Sequence, residues 1–368
     1  MKRRWRKGIT LWGLLALAGG CSSGASTSSD GGIHAADARA RDGAVATADA
    51  ASPADAAPSE GARLGLLVFG GFDGDELLAD SWIWDGDRWD EVSAEAGVSP
   101  PARGDHAMVY DRGRDRVVLF GGFDADSNPL GDTWEWDGDR WEQASFEGTS
   151  PPARFWHAMA YDPGREAVVL FGGTSTGEDF LADTWHWNGT AWESFEGSAP
   201  ARSKHAMSYD PIRETVVLFG GDDAGFDRPG DMWEWDGATW RELFPPTGGA
   251  LPPARAEHAM ATHHDRERIV VFGGIGPFGV VLEDTWEWDG TRWQELTPRA
   301  GGPAGRYWHA MAYDANLGRV ALFGGATGAN NLMPNELWLW DGWDWESRDA
   351  TPAPSARRFH ALTQVVAP

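Results

Sequence analysis

From residue 63 onward, short segments with alternating or continuous apolar residues follow one another along the chain. One copy begins with the alternating segment 154–162, continues with the apolar run 167–171, and then reaches Trp185 and Trp187. Alternation over four to eight residues indicates a half-buried strand, and a continuous apolar run of that length suits a strand covered on both faces. This part of the chain is therefore expected to fold as short β-strands.

Two further strands complete each copy. The Trp-x-Trp spacing places both indoles on one face of a strand. An Asp-Gly or Asn-Gly pair follows and is a strong hairpin signal. The chain then becomes polar after a third Trp, as in Trp141-Glu142-Gln143, which suits an exposed outer edge. Each copy thus supplies four antiparallel strands.

The copies are in phase, and a Gly-Gly pair marks each one. Successive pairs are separated by 51, 51, 48, 53 and 51 residues. The six pairs are Gly70-Gly71, Gly121-Gly122, Gly172-Gly173, Gly220-Gly221, Gly273-Gly274 and Gly324-Gly325. A period near 50 residues with this punctuation resembles the kelch repeat, and the resemblance covers residues 63–368. It implies an all-β fold: a six-bladed β-propeller of four-stranded antiparallel blades.

The two ends of the repeat region are complementary. The first copy lacks the Arg-x-x-His strand and opens directly at Leu64, whereas the chain ends with an unaccompanied strand of that type that begins at Arg357. We therefore expect the C-terminal strand to complete blade one and close the ring.

The repeated polar and aromatic residues are expected to be structural. Eighteen of the 23 Trp belong to the repeat, and each can bury on the order of 200 Å² between blades. Six equivalent His cannot all form one active site, so we expect hydrogen-bonding roles for them within the fold. They are His106, His157, His205, His258, His309 and His360. The six Arg placed three residues before them are expected to bind carbonyls or the Asp that precedes Trp-x-Trp.

The N-terminal region carries export signals. Five Lys and Arg residues precede the apolar run 9–18, which is too short to span a bilayer. Residues 1–20 are similar to a lipoprotein signal peptide that ends before Cys21, although Ala18 departs from the usual lipobox; an ordinary secretory signal is the alternative. Residues 21–62, rich in Ala, Ser, Gly and Asp, are expected to form a disordered tether. The implied location is the bacterial outer membrane or cell surface, reached only through a lipid on Cys21.

Charge and motifs narrow the function. The formal net charge of −25 repels nucleic acid and anionic membranes. The copper-radical oxidases of this fold use a Tyr–Cys crosslink, which the single cysteine at position 21 excludes. The segment 124–128 resembles the start of a calcium loop, but Pro129 stands where such loops need Gly. We therefore predict no metal, no cofactor and a monomer.

The copies differ most informatively at the two residues between each Arg and His, where the innermost strands begin. In a six-membered ring, blades two and five face each other, so Asp105 would face Glu257. The aromatic pairs Phe155-Trp156 and Tyr307-Trp308, in blades three and six, would face each other in the same way. Stacking planes and charged groups around a channel mouth suit a sugar or a peptide, although these residues could simply cap the channel. The candidate ligand-binding residues are Asp105, Phe155, Trp156, Lys204, Glu257, Tyr307, Trp308, Arg358 and Phe359.

Two function classes follow. The first is a non-catalytic cell-envelope binding or scaffold protein that presents its long-loop face to a protein or glycan. The second is a carbohydrate-active enzyme, similar to the sugar epimerases of six-bladed kelch type, with Asp105, Glu257 or Arg358 as acid–base groups. A filled mouth with exposed Phe226 or Phe278 would favour binding. A carboxyl group with a strongly shifted pKa in a pocket would favour catalysis.

Overall fold

A computed structural model describes residues 63–93, 98–197, 199–328 and 331–367. The proposed signal peptide, Cys21 and the tether lie outside these residues. The described chain contains six four-stranded antiparallel sheets and no α-helix. Within the same residues, no helix is long and apolar enough to cross a membrane. The all-β, six-bladed propeller predicted from the repeat is confirmed.

Each blade has an inner, a second, a third and an outer strand. The inner strands are Ala361–Ala367 for blade one, then Ala107–Asp111, Ala158–Asp162, Ala206–Asp210, Ala259–His263 and Ala310–Asp314. The second strands are Arg63–Phe72, Arg116–Phe120, Ala167–Phe171, Thr215–Phe219, Arg268–Phe272 and Arg319–Phe323. The third strands are Leu77–Trp84, Thr133–Trp136, Thr184–Trp187, Met232–Trp235, Thr285–Trp288 and Leu337–Trp340. The outer strands are Trp89–Glu91, Trp141–Gln143, Trp192–Phe195, Trp240–Leu243, Trp293–Leu296 and Trp345–Arg348.

Smaller elements lie at both ends of the blades. Two-residue strands pair Arg202–Ser203 with Asp222–Asp223 and Arg306–Tyr307 with Ala326–Thr327. A 3-10 turn, Pro277–Gly279, lies in the loop after the fifth Gly-Gly pair, and another, His264–Arg266, lies at the opposite end of blade five.

The C-terminal strand closes the ring as predicted. Ala361–Ala367 pairs with Arg63–Phe72 along the whole of blade one, with Gln364 opposite Leu66. The sheet order is inner, second, third and outer strand, as in the other five blades. Blade one is therefore built from both ends of the described chain.

The core is divided among the six blade junctions. Each junction holds one cluster of buried apolar side chains drawn from two neighbouring blades. The indole of an outer-strand Trp also reaches the previous blade; Trp192 Nε1, for example, donates to Thr133 Oγ1 at 2.9 Å. The Trp residues of the repeat therefore join neighbouring blades through packing and hydrogen bonds.

The Gly-Gly pairs are required where neighbouring blades approach. In Gly121-Gly122 both residues have positive φ, and Gly122 N donates to Arg154 O of the next blade at 2.8 Å. A Cβ on Gly121 would lie 2.6 Å from that same carbonyl oxygen. Only glycine combines this backbone conformation with so close an approach.

The repeated Arg side chains stabilise their own blades. The Arg154 guanidinium is fully buried, donates to both carboxylate oxygens of Asp183 at 2.6 Å, and also donates to Gly172 O. This pairing lowers the pKa of Asp183 against the opposing effect of burial. In blade six Glu336 replaces the Asp, and only one Arg306 nitrogen reaches it, at 3.2 Å.

Candidate functional site

The second residue of each Arg-x-x-His pair lies at the mouth of the central channel in a left-handed backbone conformation. These six residues have φ between 52° and 62°, although none of them is Gly or Asn. They are Asp105, Trp156, Lys204, Glu257, Trp308 and Phe359. For side chains of this size, positive φ is uncommon and costs energy.

A ring of backbone hydrogen bonds offsets that cost. The amide of Asp105 donates to Phe359 O at 2.9 Å, and the amide of Glu257 donates to Lys204 O at 3.0 Å. Three further bonds of the same kind, from Lys204, Trp308 and Phe359, continue around the mouth. The left-handed turn thus directs five of the six amides towards the neighbouring blade, and these bonds hold the backbone of the mouth in place.

The six side chains enclose a cavity of about 160 Å³. The six repeated His also line this cavity. Of the nine residues predicted to bind ligand, six line it and three lie outside it. Phe155 packs against Phe123, Tyr307 bonds through its hydroxyl to Asn331, and Arg358 stacks over Trp308 with its guanidinium carbon 4.9 Å from the ring centroid.

One side of the cavity is an ion-pair network. Lys204 Nζ lies 3.0 Å from Glu257 Oε1 and 3.1 Å from Asp222 Oδ2, and it also stands 4.3 Å from the centroid of Trp156. Arg228 Nε binds the other oxygen of Asp222 at 3.0 Å. Burial opposes the charge of Lys204, but the two carboxylates outweigh it and raise its pKa.

The opposite side holds an isolated carboxyl group. Asp105 Oδ2 accepts a hydrogen bond from Trp156 Nε1 at 2.7 Å. Burial, together with the charge of Glu257, raises the pKa of Asp105 to about 7. Burial also raises the pKa of Glu257, whose Oε2 has no hydrogen-bond partner among the described residues. The predicted meeting of the two acids at one cavity is therefore present.

The repeated His residues form the deeper part of the cavity wall. Each imidazole packs edge-on against a Phe of the preceding blade, with centroids 5.4 to 5.7 Å apart. Burial lowers the pKa of all six, to about 3 for His157 and His360. Packing against these Phe residues holds the neutral rings, and for five of the six a hydrogen bond with the backbone of the same Phe opposes part of the lowering of the pKa.

Sequence reasoning missed the participation of Asp222 and Arg228. Both follow the fourth Gly-Gly pair, and a loop position does not reveal that it folds back over the mouth. Among the described residues, no group of three or more His, Cys, Asp or Glu could hold a metal ion.

The mouth opens onto a face formed by the loops after the Gly-Gly pairs and by the crossings between blades, here called the long-loop face. The opposite face, made of the turns between inner and second strands and the hairpins between third and outer strands, is the short-turn face. Nine large apolar side chains are exposed in the described structure, and seven of them belong either to the loops after the Gly-Gly pairs or to the crossings between blades. Those seven are Val98, Phe226, Phe244, Leu251, Phe278, Val280 and Leu332.

Part of the repeat region matches a family of known proteins. Residues 63–199 match the KLHDC2/KLHL20/DRC7 Kelch-repeats domain. The chain is 35% identical over 118 residues to Dynein regulatory complex subunit 7 of Chlamydomonas reinhardtii, a match that covers 30% of this chain and 10% of that protein. It is 34% identical over 100 residues to Kelch domain-containing protein 2 of Bos taurus, covering 26% of this chain and 22% of that protein.

A third relative, Kelch domain-containing protein 1 of Mus musculus, is 33% identical over 114 residues, covering 30% of this chain and 26% of that protein. The chain thus spans about a quarter or less of the length of these relatives. The closed ring of sheets makes the described domain a six-bladed β-propeller, and its repeats are similar to those of a kelch-repeat domain over residues 63–199.

Proposed function

We propose that this protein is a non-catalytic binding propeller whose long-loop face recognises a protein partner. The observation that carries the proposal is the exposure of Phe226 and Phe278 on loops of that face, where both have positive φ. Exposed apolar groups held at an energetic cost are typical of interaction surfaces. Among the matched relatives, one is named as a subunit of the dynein regulatory complex, a protein assembly.

A display library of protein fragments, selected on the intact chain, tests the proposal. The selected binders should lose affinity for the double variant Phe226→Ser/Phe278→Ser. They should keep their affinity for Trp343→Ser, because Trp343 is 65% exposed on the short-turn face. Binders that respond only to Trp343→Ser would place recognition on the wrong face and overturn the proposal.

The proposal includes attachment to the cell envelope through a lipid on Cys21, with residues 21–62 as the tether. Support comes from the sequence alone: a cationic start, a short apolar run and a single cysteine at the processing position. Metabolic labelling with a fatty-acid analogue should mark the full chain, and Cys21→Ser should abolish the label. Equal labelling of the variant would contradict the anchor.

A glycan is the second ligand class for the central mouth, because aromatic and charged groups line it together. The cavity of about 160 Å³ lies below the usual range for ligand pockets of roughly 300 to 1,000 Å³. A glycan would therefore insert only one group there. Binding to a glycan array should fall for Trp156→Ala and Trp308→Ala, and unchanged binding by both variants would exclude this site.

A carbohydrate-active enzyme is the alternative function, and one observation favours it. The carboxyl group of Asp105 has a pKa of about 7 and shares a cavity with Glu257, as expected of an acid–base pair near neutral pH. Nuclear magnetic resonance should then show that the protein accelerates exchange of the hydrogen on the anomeric carbon, or on a neighbouring carbon, of a reducing sugar. Asp105→Asn should abolish it, and rates equal to the buffer alone would remove the enzyme hypothesis.

A further inference from the structure

We infer that the long-loop face binds a basic, partly apolar peptide segment of its partner, with an apolar side chain seated between blades five and six. The inference rests on the proposed function and specifies the chemistry of the partner. It follows from a cleft, from the apolar residues beside that cleft, and from the charge of the surrounding loops.

The cleft lies between the long loops of blades five and six. Its volume is about 380 Å³, within the range of ligand pockets. Val281 and Glu283 form one wall, Thr327 and Leu332 form the other, and Ala304 lies at the blade crossing between them. The cleft thus combines the aliphatic side chains of Val281, Ala304 and Leu332 with polar surface, which includes the carboxylate of the exposed Glu283.

Apolar side chains are exposed on both loops that form the cleft. Leu332 is 66% exposed, and Phe278 and Val280 on the facing loop are also exposed. Phe278 has φ 60° and ψ 17°, a left-handed conformation that a bulky side chain rarely adopts. Burial of these groups against an apolar side chain would remove their surface from water, which favours association.

The charge of the face selects the partner. Apart from the repeated acid before each Trp-x-Trp, the six loops after the Gly-Gly pairs contain eleven acidic residues and a single basic one, Arg228. Arg228 is already bound to Asp222. The repeated acids pair with the repeated Arg, but of the eleven others only Asp222 forms an ion pair in the described structure. An unneutralised acidic surface attracts a basic segment and repels an acidic one.

A second copy of this chain does not meet these requirements through the same face. Two long-loop faces brought together would place acidic loops opposite acidic loops, and like charges opposite each other disfavour association. Nucleic acid is repelled for the same reason. A basic protein segment with an apolar residue satisfies both the charge and the cleft.

Three fluorescent peptides of about ten residues provide the test: alternating Lys and Leu, alternating Lys and Ser, and alternating Glu and Leu. The Lys–Leu peptide should bind the intact chain roughly tenfold more tightly than either of the others. Its affinity should fall as salt rises from about 0.05 M to about 0.5 M, because salt screens exposed charges. Equal binding of the Glu–Leu peptide would overturn the inference.

Matched variants separate the cleft from general attraction. Leu332→Ser should abolish the preference for Lys–Leu over Lys–Ser, whereas Trp343→Ser, of nearly equal exposure on the short-turn face, should retain it. Glu283→Gln should weaken binding of the Lys–Leu peptide several-fold, whereas Glu267→Gln on the short-turn face should leave that binding unchanged. If Leu332→Ser still prefers the Lys–Leu peptide to the Lys–Ser peptide, the apolar side chain does not bind in the cleft between blades five and six, and the inference is overturned.

The inference and the proposed function fail differently. Protein fragments selected on the long-loop face that are neither basic nor sensitive to Leu332→Ser would refute the inference and leave the proposed function standing. Fragments that bind only elsewhere would refute both.

Discussion

The two faces of the propeller rest on the same six blades but use charge in different ways. On the short-turn face, the turns and hairpins contain eight basic and 13 acidic residues. Several of these bases are paired, as where Arg114 binds Asp111 and Glu135 at 2.7 and 2.8 Å. In the loops after the Gly-Gly pairs, apart from the repeated acid before each Trp-x-Trp, eleven acidic residues accompany one basic residue. The bases of the short turns therefore offset much of the acidic charge on that face, whereas the loops after the Gly-Gly pairs leave most of their acidic charge available to a partner.

The faces also differ in backbone. The short turns recur with little change from blade to blade, and Asp side chains cap them, as where Asp137 Oδ1 accepts from the amides of Asp139 and Arg140. The long loops carry bulky residues at positive φ, including Phe226 and Phe278. The comparison suggests that regular turns serve stability and irregular loops serve binding.

The largest effect should come from opening the ring. Deletion of residues 357–368 removes the inner strand of blade one and the buried ion pair between Arg357 and Asp80. We expect calorimetry to show a broadened transition lowered by at least about 10 °C, with loss of peptide binding on the long-loop face. A truncated chain that melts as sharply and as high as the full chain would contradict a closed ring.

Acidification is also expected to lower the stability of the fold strongly. The folded state keeps the six cavity His neutral with lowered pKa values. Below pH 6.5 the unfolded chain binds protons that the folded chain does not, so stability should fall steadily from about pH 6.5 towards pH 3. Asp105, whose pKa is raised, has the opposite sign and lowers stability as pH rises from about 4 to 7.

Urea titrations across that pH range test this assignment. The slope of the unfolding free energy against pH reports how many protons the chain takes up on unfolding. His157→Gln should reduce that number by about one, and Asp105→Asn should increase it over the upper part of the range. The mouth of the long-loop face would then be the more pH-sensitive end of the molecule. A slope unchanged in His157→Gln would show that this ring titrates normally in the folded protein.

An intermediate effect on stability should distinguish blade three from blade six. Asp183→Asn leaves the fully buried Arg154 guanidinium without its bidentate partner, so we expect a loss of about 3 kcal/mol. Glu336→Gln in blade six removes a single bond of 3.2 Å to a half-exposed carboxylate, and about 1 kcal/mol is expected. Chemical denaturation of both variants measures the difference, and equal losses would contradict the geometric distinction.

The smallest effect concerns the strained loop. Phe278→Asn introduces a residue that tolerates positive φ and removes an exposed ring. The free energy of unfolding should therefore stay within about 0.5 kcal/mol of the parent or rise slightly. Peptide binding should nevertheless weaken. Trp343→Ser, which removes the cation–π contact with Arg266 on the short-turn face, should leave that binding unchanged. A large loss of stability in Phe278→Asn would show that the ring serves the fold.

Local periodicity was sufficient for much of the fold. Strand type, blade number and the closing role of the C-terminal strand follow from alternation, from the spacing of the Gly-Gly pairs and from the complementary ends. These features are local or repeated, so each copy confirms the others. The pairing of the repeated Arg with the Asp before Trp-x-Trp was also foreseeable, because its chemistry recurs in every blade.

The site depended on the tertiary structure. Periodicity identified the variable pairs between Arg and His, but only the ring shows that their second residues face one cavity while Phe155, Tyr307 and Arg358 lie outside it. The left-handed backbone at Trp156 or Glu257 has no local signal, since the bond that compensates for it comes from another blade. The raised pKa of Asp105 likewise arises from burial and from a carboxylate about 150 residues away in the chain. Sequence alone determined the repeated frame, whereas convergence of six distant segments on one axis decided the chemistry of the mouth.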